Sequence, residues 1–135
     1  AAGREGMEAL SRLLGEAGFV TGRAQDGDAS SGPDFVQLTR EATHDIVDLI
    51  AAKTSFQRLL IQRAVRGEGQ WLPVATPEDL IILKLIANRS RDRLDAEALA
   101  RQEPLDWRYV EDWASMWGVT ERLDALRRAL ANEEP

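Results

Sequence analysis

The chain has no cysteine. Disulfides, thiolate metal sites and cysteine nucleophiles are therefore excluded. Histidine occurs once, at His44, so a multi-histidine metal centre is excluded too. No apolar run approaches the ~20 residues that a membrane-spanning helix needs. The opening AAGREGMEAL shows neither an apolar signal core nor a small-residue cleavage pattern. Lysine is scarce: of 17 basic residues only Lys53 and Lys84 are lysines. Positive charge is also outweighed, with a formal net charge of −6, which argues against strong general affinity for nucleic acid. These absences point to a cytoplasmic protein outside the membrane. The chain also lacks an initiator methionine, and its first residues already read as the approach to a helix. The expectation is that it begins inside a longer gene product.

What is present is an ordinary globular composition, 44% hydrophobic and 30% charged over 135 residues. Met7, Leu10, Leu13, Leu14 and Ala17 recur at helical steps, and Gly18 sits where a C-terminal glycine belongs. Phe19-Val20-Thr21 starts a strand, QDGDASSGPD (25–34) is all turn formers, and FVQLT alternates as a half-buried strand does. A hairpin with a long tip is expected. HDIVDLIAA reads as a third strand, Phe56 to Val65 as a short helix, and Trp71 to Val74 as a short extended piece. Thr76-Pro77-Glu78-Asp79 is a well-specified helix start: an N-cap threonine, proline at N1 and acids in the first turn. That helix should run to about Asn88. A second follows from Ser90 to about Arg101, then Trp107 to Trp117, then one starting near Thr120. Strands come first and helices last. The fold expected is α/β in the broad sense (α+β), a small mixed β-sheet with packed helices. Residues 1–103 would form its core and 104–135 a C-terminal helical extension on the same domain.

Several residues carry potential chemistry. Asp48 interrupts a buried-strand pattern, an expensive place for a carboxylate unless it is paired, at a strand end, bound to a cation or on a wet face. Lys84 stands alone in the apolar run LIILKLIA. It either reaches an anion such as a phosphate or is wired to a carboxylate. Lys84, Asn88, Asp92 and Asp95 share one helix face if the helix is unbroken. Arg89, Arg91 and Arg93 with Asp92 and Asp95 form a mixed charge cluster at the helix junction. His44 beside Asp45 is more simply a polar residue before a strand. Trp107, Trp113, Trp117 and Tyr109 have helical spacing and read as core. There is no glycine-rich phosphate loop, no G-x-S-x-G and no H-E-x-x-H.

Val47-Asp48-Leu49-Ile50, then Val74-Ala75-Thr76-Pro77-Glu78-Asp79-Leu80, then Lys84-Leu85 through Arg89, Arg91, Asp92 and Asp95 follow one another in a recognisable order. This stretch, roughly residues 35 to 100, resembles the distal half of small bacterial nucleotidyltransferase-like proteins. They belong to the DNA polymerase beta-like nucleotidyltransferase superfamily and include relatives of abortive-infection and toxin–antitoxin nucleotidyltransferases. The resemblance implies Mg²⁺-dependent transfer of a nucleoside monophosphate from a nucleoside triphosphate (NTP) to a hydroxyl acceptor. It would make Asp48 the third catalytic, metal-holding carboxylate. Lys84 and Arg89 would bind the nucleotide, and Asp92 and Asp95 would border the pocket or hold the junction. The pattern departs from the family at its front. The Gly-Ser helix start and the D-x-D strand are absent, and Asp26-Gly27-Asp28 falls in the hairpin tip. The expectation is an incomplete and inactive nucleotidyltransferase-like chain. The alternative is a non-catalytic partner subunit of a toxin–antitoxin kind, with a homo-oligomer or a partner protein as its target.

Overall fold

The structure is a computed structural model and describes residues 4–26, 33–70, 72–102 and 104–132. The elements run α1 (Arg4–Glu16), β1 (Val20–Asp26), β2 (Pro33–Arg40), β3 (Asp45–Ile50), α2 (Ser55–Arg63), α3 (Pro77–Ala87), α4 (Ser90–Ala100), α5 (Trp107–Met116) and α6 (Thr120–Asn132). The fold is thus α+β, strands before helices. The sheet itself is antiparallel throughout, in the order β1-β2-β3, rather than mixed. The tip of the β1–β2 hairpin, with Gly27 and Asp28, lies outside the described residues. The extended piece near Val74 does not become a fourth strand. It makes a single antiparallel bridge, Val65 with Val74.

The chain divides into two compact units, one through Leu59 and one from Leu60. In the first, α1 ends at Gly18, whose φ of +88° suits glycine alone among common residues. The helix buries Met7 against Val36 and Leu38 of β2, with Leu14, Phe19 and Leu49 packed around them. Pairing of Val36 with Leu49 and of Leu38 with Val47 places these side chains on one face. The opposite face carries Ile46, Asp48 and Ile50, all exposed.

The second unit is helical. Ile81, Ile82, Leu85, Val110, Ala114, Leu123 and Leu126 are buried there. The start of α3 forms as its sequence dictates: Thr76 is extended (φ −66°, ψ 154°), and its hydroxyl accepts from the Asp79 amide. The helix stops at Asn88, which is left-handed at φ 51°, a conformation asparagine tolerates better than most. The tryptophan group is core only in part: Trp107, Tyr109 and Trp113 are half-buried. Val110 and Ala114, one turn apart, are the buried pair of α5, while Trp117 is 40% exposed.

Candidate functional site

The residues marked out by the lysine-containing motif meet at the turn between α3 and α4. Asn88 reverses the chain, so Lys84 on α3 faces the first turn and a half of α4. The Lys84 ammonium donates to Asp95 Oδ2 at 2.7 Å and to Asp92 Oδ1 at 3.3 Å. Asp92 is 2% exposed and accepts four bonds in all. Besides Lys84, the Arg89 amide reaches Oδ2 at 3.1 Å, Arg89 Nε reaches Oδ2 at 2.6 Å, and Arg89 Nη2 reaches Oδ1 at 3.2 Å. Four donors fill the lone-pair positions of one carboxylate. The bond from the Arg89 amide is also a cap, since Asp92 at N3 satisfies the amide of the residue before α4.

The electrostatics follow from this geometry. Hydrogen bonds from the Arg89 side chain, and then from its amide and from Lys84, hold the Asp92 carboxyl far below the usual carboxylate range against the opposing effect of burial. The bond to Asp95 raises the Lys84 ammonium above its ordinary value of 10.5, joined by Asp92 and opposed by desolvation. Arg89 is likewise raised, chiefly by Asp92, although its side chain is 78% exposed. The lysine in an apolar helix therefore has a physical answer: two carboxylates on the next helix receive the Lys84 ammonium. Arg91 is exposed and outside this network, and among the described residues Arg93 reaches only Ser90 Oγ, at 3.4 Å.

Asp48 belongs to the other unit. It stands on the exposed face of β3 opposite Gln37, whose Nε2 donates to Asp48 Oδ1 at 3.0 Å. The carboxylate in a strand is thus tolerated because that face is wet. His44 sits with φ 56° in the turn before β3, and Asp45 is held below its ordinary value by Thr43 and Arg40. A pair of magnesium ions needs several carboxylates around one point. Among the described residues, no three histidine or acidic side chains are grouped so as to hold a metal ion. The residues present do not by themselves fit such a pair.

A second polar centre was missed in the sequence. Asp79 is fully buried. Its Oδ1 accepts from Tyr109 Oη at 2.6 Å, and its Oδ2 accepts from Thr76 Oγ at 3.0 Å and Arg63 Nε at 3.2 Å. The Arg63 guanidinium also lies 4.0 Å from the Tyr109 ring centroid. Burial, and then the bond to Asp79, push the Tyr109 phenol well above its ordinary value. An acid in a first helical turn reads as a dipole partner, and nothing local distinguishes that role from burial. Partners 16 and 30 residues away decide it.

No protein-family model matches the chain, and no curated protein matches its sequence. Among the described residues, no helix is long and apolar enough to cross a membrane.

Proposed function

We propose that the chain is related to the distal half of nucleotidyltransferase-like proteins and transfers no nucleotide by itself. The reaction it is related to moves a nucleoside monophosphate from an NTP to a hydroxyl acceptor. The observation that carries this reading is the junction of α3 and α4, where Lys84, Arg89, Asp92 and Asp95 gather. The Lys84 ammonium spends two donors on carboxylates and keeps a third, so it can meet a phosphate without leaving its ion pairs.

Calorimetry with Mg²⁺–ATP, on the chain and on Lys84→Met, tests the nucleotide half of this proposal, with circular dichroism to check folding. We expect saturable binding that weakens about tenfold in the variant, the scale of one charge-assisted hydrogen bond. A folded chain that binds no nucleotide overturns it. Incubation with Mg²⁺ and α-labelled NTPs tests the other half, and label transferred to any acceptor overturns inactivity. One observation favours a second reading, a non-catalytic interaction subunit. Ile46 and Ile50 are 63% and 64% exposed on the strand at the sheet edge.

A further inference from the structure

The helical unit holds a cleft of about 350 Å³ between the end of α3, α4 and α6. That volume lies in the range of small-molecule sites. Its floor is apolar, from Leu85, Ala96 and Leu126, with exposed Ala125 at the edge, and two of those four side chains are single methyl groups. Leu85, Ala96 and Leu126 are buried. A flat apolar body would find van der Waals contact there in place of water.

The rim is charged, and its charges do not cancel. Lys84 is matched by Asp95, and Glu97 has Arg101 at 3.9 Å. That leaves two arginines, Arg93 and Arg122, against one acid, Glu121. The single surplus charge is positive, in a chain whose formal net charge is −6. Both arginines have donors to spare. Arg122 Nη1 donates to the carbonyls of Leu85 at 2.8 Å and Ile86 at 3.0 Å, which caps the end of α3 and fixes the guanidinium. Its Nε and Nη2 have no hydrogen-bond partner among the described residues. Among the described residues, Arg93 makes only the 3.4 Å bond to Ser90. Asn88, half-buried on the rim, adds an amide that can donate or accept.

We propose that this cleft binds a small amphipathic organic anion, its apolar body on the apolar floor and one carboxylate or phosphate on Arg93 and Arg122. Both headgroups offer a guanidinium two oxygens in the same geometry; the single charge of a carboxylate matches the surplus on the rim, and a phosphate monoester carries nearly two. The cleft shares Lys84 with the nucleotidyltransferase reading, but the inference needs neither Mg²⁺ nor Asp48 and places the anion on Arg93 and Arg122.

The test is a ¹⁵N chemical-shift titration of the whole chain with benzoate, phenyl phosphate and benzyl alcohol. One or both anions should give saturable shifts at the amides of Leu85, Asn88, Ala96 and Ala125. The stronger anion identifies the headgroup, and the uncharged alcohol should bind about tenfold more weakly. Ala125→Phe, which fills the cleft and leaves every rim charge in place, should abolish the shifts. Arg93→Gln, a change at an exposed side chain, should weaken binding by about tenfold and decides the matter if Ala125→Phe does not fold. Saturation by neither anion, equal binding of the alcohol, or indifference to the variants overturns the proposal.

Discussion

Asp79 and Asp92 are the buried carboxylates among the described residues, and they are held by different partners. Asp92 is gripped by two cations and an amide, Asp79 by one cation and two hydroxyls. Removing the Tyr109 hydroxyl leaves Asp79 Oδ1 without its donor at a fully buried site. Tyr109→Phe should therefore cost about 1–3 kcal/mol, read as a lower urea midpoint at unchanged slope. Tyr109 is the sole tyrosine, so the absorbance rise of phenolate reports it alone. It should ionise above the ordinary value of 10.0 in the wild type. In Asp79→Asn it should move partway down, because burial is the larger cause and remains. Asp92, held chiefly by Arg89, and Lys84, held chiefly by Asp95, predict two pH windows. Asp92 has a lowered folded pKa, so its contribution is present above the ordinary 3.8 and is lost as pH falls through the folded value. Lys84 is raised, so its contribution is present below 10.5 and is lost as pH climbs through the folded value. Urea midpoints of Asp92→Asn should fall less steeply in acid than those of the wild type, and those of Lys84→Met less steeply in alkali.

At the scale of elements, the clearest signals were the chemical ones. Thr76-Pro77 at the start of α3 and Gly18 after α1 each did what a cap does in isolation, and the structure has both. Thr76 does more than cap, since its hydroxyl also donates to buried Asp79. Thr76→Ala should accordingly cost about 1–2 kcal/mol, at the upper end for an N-cap, measured as a drop in unfolding free energy. What was not legible depended on partners distant in sequence. Leu10 and Leu13 belong to the apolar stripe of α1, yet are 42% and 56% exposed. The four-residue piece ending at Val74 had strand composition, but a strand also needs a neighbour, and Val65 alone supplied one bridge. The site divides in the same way. Spacing grouped Lys84 with Asp92 and Asp95 on the premise of one unbroken helix; Asn88 breaks that helix, and the turn between α3 and α4 brings them together instead. Arg63, Tyr109 and Arg122 were unreadable because their partners lie 16, 30 and 37 residues away.

At the scale of the whole molecule, the sheet of the first unit has two edges. β1 is blunted by register shifts at Thr21/Arg23 and Gln25/Asp26, whereas β3 pairs with β2 without a shift and contains neither proline nor lysine. An unblunted edge with exposed apolar side chains is a template for another strand. Antiparallel pairing of β3 with its own copy, centred on Val47, keeps the core faces of both sheets on one side. In that register Ile46 lies opposite Asp48 and Asp45 opposite Leu49, so no carboxylate faces another. The chain should then form a dimer in light scattering. Ile46→Asp changes a side chain that is 63% exposed, so it leaves the fold intact. It would place an acid opposite Asp48 on both sides of the two-fold axis, where like charges repel. That variant should be monomeric. A strictly monomeric wild type, or a dimer indifferent to Ile46→Asp, would remove the β3 edge as an association surface.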